Sequence, residues 1–225
     1  MSDAGDLTVA AAAASARPAW LERLAHDLRS AYSPVSLGIT MLRGGRLDAA
    51  QEAELLAAMQ RQSEVLVQMF DDVADLVAAR AGSRSATSLA TLFGEVAART
   101  TGRLADIEAT LDIQVPDAPA TVRGEARALV RLLSRIVVQT AQIGGRGSRV
   151  IVSAGDDADV LRVTLDDAGA ERRPDAFASL VARLGDPAAP HLVDAAAHAI
   201  AVRHGARLTA CDDPPGVALR LPAQG

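Results

Sequence analysis

A histidine with polar neighbours stands near the start of the chain and is the residue best suited to chemistry. His26 is followed directly by Asp27, and Arg29 and Ser30 come soon after it. An imidazole that titrates near pH ~6.5 is partly neutral at pH 7, so it can act as a nucleophile. The Asp27 carboxylate is placed to hold or accept its proton. These residues make His26 a candidate nucleophile.

The spacing of apolar residues around His26 predicts a long helix. Small or apolar residues recur at alternating intervals of three and four from Leu21 to Leu42, which forms the seam of a heptad helix. With Leu21 at position a, His26 falls at position f, away from the seam. Ser30 and Ser33 follow on the same side, so we expect a solvent-facing polar stripe. On spacing alone, a surface histidine without a role is the preferred interpretation.

A second heptad helix follows after a short break. Gly44 and Gly45 can end the first helix, and Asp48 is a good N-cap for the next, which runs to about Arg80. The short connection predicts an antiparallel hairpin over residues 17–80. Its apolar faces are too broad for two helices to bury. We therefore expect two chains to pair into a four-helix bundle.

In the second half of the chain, the spacing of the apolar residues changes. The new pattern predicts a mixed sheet with helices on one face. The predicted helices cover Leu89–Arg103, Glu125–Gln142, Asp175–Leu184 and Leu192–Arg203. The predicted strands cover Leu111–Val115, Arg149–Ala154, Val160–Leu165, Arg207–Cys211 and Val217–Leu221. The fold class is therefore α+β, with an α/β sandwich over residues 87–225 after the hairpin. A Gly-, Ser- and Arg-rich stretch at 81–86 marks the boundary, and residues 1–16 are expected to be a flexible start.

The composition excludes several classes of function. The 225 residues carry a net charge of −5, which argues against nucleic acid as the main partner. The single cysteine excludes an internal disulfide and a cysteine-clustered metal site. Lysine is missing, so a P-loop and Schiff-base chemistry are excluded. No segment has the pattern of a signal peptide or a membrane span, so we expect a cytoplasmic protein without a membrane partner.

Two further sets of polar residues have helical spacing. His191, Asp194 and His198 lie three and four residues apart and could form a metal-binding stripe. The sequence offers no further ligand cluster, so a polar helix face is the preferred interpretation and no metal site is predicted. Arg127, Arg131 and Arg135 recur every four residues, and we expect them to form a solvated face.

The segment around His26 resembles a known motif. His26-Asp27-Leu28-Arg29-Ser30 is similar to the H-box of two-component histidine kinases, and the hairpin resembles their dimerisation and phosphotransfer domain. The family often has proline five residues after the histidine, whereas this chain has Ala31 there and Pro34 later. The resemblance implies that His26 accepts a phosphoryl group and that Asp27, Arg29 and Ser30 assist it.

The second half resembles the ATPase domain of the same kinases in its order of elements, but its metal-binding motif is altered. Gln139 stands where the family has the asparagine that binds Mg²⁺, and Arg135 replaces an earlier asparagine. Glutamine is longer by one methylene, whereas Mg²⁺ demands near-ideal octahedral geometry. The resemblance therefore implies that this domain does not hold Mg²⁺-ATP.

The two glycine-containing motifs of that domain are altered as well. Asp167 and Gly169 keep half of the adenine-binding loop, but Glu171 replaces its second glycine and brings a negative charge. Residues 191–194 stand where the family has a Gly-Leu-Gly-Leu phosphate cradle, and both glycines are gone. Gln139, Asp167 and Gly169 would thus be remnants of a nucleotide site.

The resemblance implies a histidine phosphotransferase that works without ATP or a cofactor of its own. It would form a homodimer and relay a phosphoryl group between response regulator aspartates through His26, with Mg²⁺ carried by the regulator. Its partners would be receiver domains, with a hybrid histidine kinase as a further partner. Two alternatives stay open: a divergent but active histidine kinase, and a non-catalytic pseudokinase scaffold.

Overall fold

The computed structural model of the chain describes residues 18–78, 84–116, 120–155, 159–166 and 174–222. These residues form two compact units. The first contains the described residues up to Val73 together with Ala188–Ala195, and the second contains Ala74–Pro187 and the described residues from Ala196 onwards. The start at 1–16 lies outside the described residues. The domain boundaries given by the sequence, at 17, 80 and 87, stay predictions.

Two long helices dominate the first unit. Helix α1 covers Ala19–Arg43 and helix α2 covers Ala49–Val77, whose last four residues belong to the second unit. The predicted hairpin is thereby confirmed, although α2 ends before the predicted Arg80, which itself lies outside the described residues. Neither these helices nor any other helix in the described ranges is long and apolar enough to span a membrane.

The start of α2 is fixed by a reciprocal cap. The backbone N–H of Gln51 donates to the Asp48 carboxylate over 2.9 Å, and the backbone N–H of Asp48 donates to the Gln51 side-chain oxygen over 3.1 Å. This capping box satisfies two backbone donors that the first turn of a helix leaves without partners. The predicted N-cap at Asp48 is confirmed.

The seam of α1 packs most closely where its side chains are smallest. Ala31 and Gly38, the two weak positions of the heptad, are buried. A Cβ atom at Gly38 would lie 2.5 Å from the sulfur of Met59 and 3.4 Å from a methyl carbon of Leu55. Glycine at position 38 therefore permits a close approach of α1 and α2.

The second unit contains two sheets and four further helices. Strands are β1 (Ser85–Ser88), β2 (Thr110–Gln114), β3 (Thr121–Gly124), β4 (Arg149–Ala154), β5 (Val160–Leu165), β6 (Arg207–Asp212) and β7 (Pro215–Arg220). Helices are α3 (Leu89–Ile107), α4 (Ala126–Gly144), α5 (Pro174–Gly185) and α6 (Leu192–His204), of which the first turn of α6 belongs to the first unit. The five-stranded sheet has the order β2-β4-β5-β7-β6, with β2 and β4 parallel and the other pairs antiparallel. Strands β1 and β3 form a separate antiparallel pair.

The core of the second unit lies between the five-stranded sheet and the helices α3, α4, α5 and α6, which confirms the predicted α+β fold with its sandwich domain. It is built mainly from aliphatic side chains, with Phe93 and Phe177 as its fully buried aromatics. The sequence prediction missed β1 and β3. Each has only four residues, and β1 begins inside the stretch that was predicted as a linker.

Candidate phosphotransfer site

The His26 side chain is presented to solvent on α1. It is 78% exposed, as its f position in the heptad predicts. Its Nδ1 atom lies 3.1 Å from Oδ1 of Asp27, whose side chain is 42% exposed. A carboxylate oxygen only accepts hydrogen bonds, so in this contact Nδ1 carries the proton and donates it. In a neutral ring the lone pair is then on Nε2, which leaves that nitrogen as the nucleophile.

Arg29 and Ser30, the other two predicted site residues, follow the histidine on α1 and form no hydrogen bond with it. Both are exposed, and within the described part of the chain their side chains take part in no hydrogen bond or ion pair. The backbone carbonyl of Arg29 accepts a hydrogen bond from the Ser33 hydroxyl over 2.7 Å. Pro34 follows inside the helix and has no backbone N–H to donate. The structure thus joins His26 with Asp27 and leaves Arg29 and Ser30 available to an incoming group.

Gln139, which the resemblance aligns with a magnesium ligand, is held by a cation. Its side-chain oxygen accepts a hydrogen bond of 3.0 Å from Nη2 of Arg183 on α5. That oxygen is the only atom of the Gln139 side chain that could bind Mg²⁺. A guanidinium at this distance repels a divalent cation. The Gln139 side chain, as it is placed here, therefore does not fit the role of a Mg²⁺ ligand.

The structure describes some of the remaining residues that align with nucleotide-binding motifs, and others lie outside the described ranges. Arg135, at the place of the earlier asparagine, is 9% exposed in the interior of α4. Asp167, Gly169 and Glu171 lie outside the described residues. The segment that replaces the phosphate cradle enters α6 at Leu192, so it begins a helix rather than a glycine loop.

A buried charge cluster was missed by sequence reasoning. Asp75, 3% exposed, accepts two hydrogen bonds from Arg131, with Nε–Oδ2 at 2.7 Å and Nη2–Oδ1 at 2.5 Å. Arg203 on α6 donates to the same carboxylate over 2.9 Å and to the backbone oxygen of Asp75 over 2.5 Å. The predicted solvated arginine face is therefore wrong for Arg131 and Arg135, and only Arg127 is exposed.

A second histidine of interest, His204, is 2% exposed at the end of α6. Its Nε2 accepts a hydrogen bond of 3.0 Å from the backbone N–H of Glu125, the N-cap residue of α4, and its Nδ1 donates to the carbonyl of Ile200 over 2.8 Å. Burial lowers the pKa of His204, and the positive charges of Arg84 and Arg203 act in the same direction. The ring is therefore a neutral cap for α4. Sequence reasoning saw only a helix end here.

The candidate metal stripe receives no support. His191 is exposed, Asp194 is buried, and His198 is half-buried. Within the ranges that the structure describes, no group of three or more His, Cys, Asp or Glu side chains is placed to hold a metal ion.

The chain matches no family model and no curated protein in sequence. Its fold nevertheless matches solved structures. One is the Acinetobacter baumannii histidine kinase AdeS, at 14% identity and a TM-score of 0.59, over 89% of this chain and 98% of that chain.

Two longer kinases also match. Full-length ShkA in complex with AMPPNP is 18% identical with a TM-score of 0.55, over 93% of this chain and 47% of that one. The histidine kinase ThkA, solved with the response regulator protein TrrA, is 12% identical with a TM-score of 0.57, over 91% of this chain and 61% of that one. The chain therefore has a histidine kinase-like fold, with a helical hairpin and an ATPase-type sheet domain.

Proposed function

We propose that this chain is a histidine phosphotransferase of two-component signalling. It would take a phosphoryl group from the aspartyl phosphate of one response regulator and pass it to another. The observation that supports this most directly is the exposed His26 ring hydrogen-bonded to Asp27, on the first helix of a histidine kinase-like hairpin. The ThkA match adds support, because that kinase was solved together with a response regulator.

In the proposed reaction, Nε2 of His26 attacks the phosphorus of the regulator's aspartyl phosphate. The new N–P bond forms as the P–O bond to the aspartate breaks, and the electron pair stays on the regulator's carboxylate. The imidazole gains positive charge, which the hydrogen bond from Nδ1–H to Asp27 stabilises. A second regulator's aspartate reverses these steps. Because the phosphoryl group is passed through a loose transition state, the step needs mainly positioning and charge stabilisation.

Arg29 and Ser30 would contact the phosphoryl group once a regulator docks. Both side chains are exposed on the same helix as His26. A guanidinium offers up to five N–H donors in a fork that suits phosphate oxygens, and a hydroxyl offers one more. Mg²⁺ in this scheme belongs to the regulator.

The reaction would run without ATP on this chain. The hydrogen bond from Arg183 to Gln139 puts a cation beside the residue that would have to bind magnesium. The altered sequence at 167–171 and 191–194 supports the same conclusion, since each segment lacks glycine at a position where the kinase motif has it. The second domain would then be a retained fold without ATP chemistry.

A homodimer is part of the proposal. Tyr32 and Ile39 are 56% and 44% exposed and lie seven residues apart on α1, both at heptad position e. Leu56 and Phe70 are 48% and 63% exposed at the e positions of α2. In an antiparallel helix pair the two e rows flank the same side of the seam. A second copy of the hairpin would cover this side and complete a four-helix bundle.

The proposal is tested by phosphorylation with two donors. Phosphoramidate is a small phosphoryl donor that reports on the nucleophile alone. Receiver domains of the same genome, phosphorylated beforehand with acetyl phosphate, report on transfer between proteins. We expect acid-labile label on the parent and none on His26→Gln. His191→Gln is the matched control, because it removes another exposed histidine and should leave labelling intact. Label that persists on His26→Gln would refute the proposal.

The two alternatives predict other outcomes. An active kinase would bind Mg²⁺-ATP saturably in calorimetry and transfer its γ-phosphoryl group to His26. A pseudokinase scaffold would bind a receiver domain or a kinase but never carry label. Neither outcome is compatible with an ATP-independent phosphotransferase.

A further inference from the structure

The connection from α2 to β1 begins and ends within the second unit. Residues 79–83 lie outside the described residues, but Ala78 before them and Arg84 after them are both described. At the end of α2, the backbone N–H of Ala78 donates to the carbonyl of Ala74 over 3.0 Å. The sequence predicts a linker at 81–86. The contacts at the two ends of the connection decide how freely it can open.

The end of α2 carries an acidic residue where a helix favours a basic one. Asp75 lies in the last turn of α2, and no basic residue of α2 accompanies it there. Its backbone carbonyl is one of the last four of the helix, which lack partners within a regular α-helix. Both features require a cation from another part of the fold.

Arg203 on α6 supplies that cation and caps α2. Its Nη2 donates to the Asp75 carboxylate over 2.9 Å, and its Nη1 donates to the Asp75 carbonyl. One guanidinium, only 9% exposed, thus neutralises the acid and satisfies the free carbonyl. Arg131 on α4 binds the same carboxylate, so two helices hold the end of α2.

Arg84 in turn caps the helix that carries Arg203. Its Nη2 donates to the backbone carbonyl of Arg203 in the last turn of α6, where a positive charge is favourable. Arg84 is exposed and directly precedes β1. Arg203 is therefore bound through its side chain to a residue before the connection and through its backbone to a residue after it.

We propose that Asp75, Arg203 and Arg84 form an ionic clamp that closes the connection between α2 and β1. With the clamp closed, the last turn of α2 and the residue before β1 are both held to the end of α6. The two ends then open together, so loss of the Arg84 contact loosens α2 although Arg84 does not touch it. The inference goes beyond the phosphotransfer proposal and does not depend on it, since the site around His26 contains none of these residues.

The test is amide hydrogen exchange of the full chain, followed by NMR. Arg84→Gln removes the exposed side of the clamp, and we expect the Ala78 amide to exchange at least about threefold faster, because a charge-assisted hydrogen bond is lost and both ends open together. Arg123→Gln is the matched control. It removes an exposed arginine from β3, the strand that pairs with β1, where Arg123 forms no hydrogen bond or ion pair with described residues. Its Ala78 amide should exchange like that of the parent.

Two further measurements separate the clamp from a general loss of stability. The amide of Leu133, in the buried core of α4, should exchange like the parent in Arg84→Gln. Asp75→Asn should speed exchange of the Ala78 amide at least about tenfold, and Arg84→Gln should add little to it, because the clamp is already open. The proposal is overturned if Arg84→Gln exchanges at Ala78 like Arg123→Gln, if Leu133 accelerates as much as Ala78, or if the effects of the two substitutions simply multiply.

Discussion

His26 and His204 carry the same type of side chain, but one ring is exposed and the other is buried. His26 is 78% exposed on the hairpin, and its Nδ1 donates a hydrogen bond to its neighbour in sequence, Asp27. His204 is 2% exposed in the second unit and bonds to Glu125, 79 residues away in sequence. Both rings carry a proton on Nδ1 in these contacts. In His26 the other nitrogen is open to a reactant, whereas in His204 it accepts a backbone hydrogen bond.

This difference shows that burial, rather than residue type, decides which imidazole can do chemistry here. In the first unit, the His26 ring lies at the surface, where a partner can reach it. The second unit contains polar groups such as Asp75 that are fully satisfied inside the fold and contribute to its stability. Substitutions should therefore alter reactivity in one unit and stability in the other.

The largest effect is expected on phosphoryl uptake. His26→Gln should reduce labelling by phosphoramidate to background, because glutamine has no nucleophilic ring nitrogen. Its free energy of unfolding should change by less than about 0.5 kcal/mol, as for other exposed positions. His204→Gln should keep labelling while it lowers stability. Equal labelling of the parent and His26→Gln would remove the distinction between the two histidines.

The next largest effect is expected at Asp75. Replacement by alanine leaves Arg131 and Arg203 buried without the carboxylate that joins them, which should destabilise the protein by about 3–5 kcal/mol. Urea unfolding followed by far-UV circular dichroism measures this loss. Glu54→Ala, at an exposed position on the same helix α2, is the control and should stay within about 0.5 kcal/mol of the parent. A small effect at Asp75 would mean that the cluster is not a stabilising centre.

Much of this fold could be predicted from local pattern. The bounds of β4 and β5 agree with the sequence prediction, because their alternation is regular and turn residues bound them. The seam of α1 and the cap at Asp48 were also found from spacing and residue type. At the site, the same periodicity put His26 on the exposed side of its helix.

What the sequence could not provide was contact between distant residues. Arg131 meets Asp75 across 56 positions, so its row was mistaken for a solvated face. The pairing of β1 with β3 and the cap that His204 gives to α4 have the same cause, since each joins segments far apart in sequence. The hydrogen bond between Arg183 and Gln139 likewise links two helices. None of these contacts leaves a periodic signal along the chain.

A third effect concerns the pH dependence of stability. The pKa of His204 is lowered in the folded protein by burial, so the unfolded chain takes up a proton near pH 6.5 while the folded chain does not. Stability is therefore fully present above that pH and falls as the pH drops below it, by up to about 1.4 kcal/mol per pH unit. Protonation would also break the bond from Glu125 and add a charge beside Arg84 and Arg203.

This pH effect is measured by urea unfolding between pH 7.5 and 5. His204→Gln should be less stable than the parent at pH 7.5 by about 1–3 kcal/mol and should lose most of the slope at acidic pH. His191→Gln, at an exposed position, should retain it. The neutral-cap assignment is wrong if the parent and His204→Gln show the same slope.

The smallest effect is expected at Asp27, and it tests what the exposed pair contributes. Alanine there removes the acceptor for Nδ1–H, and we expect labelling of His26 by phosphoramidate to slow about fivefold, because one exposed hydrogen bond is lost. Asparagine separates orientation from charge, since its oxygen still accepts from Nδ1–H. If orientation dominates, Asp27→Asn should react nearly as fast as the parent; if the negative charge dominates, it should match alanine. Glu52→Ala, an exposed acid on α2, controls for the change in net charge. A small donor needs no docking surface, so unchanged rates in both variants would mean that Asp27 does not assist the nucleophile and that exposure alone makes His26 reactive.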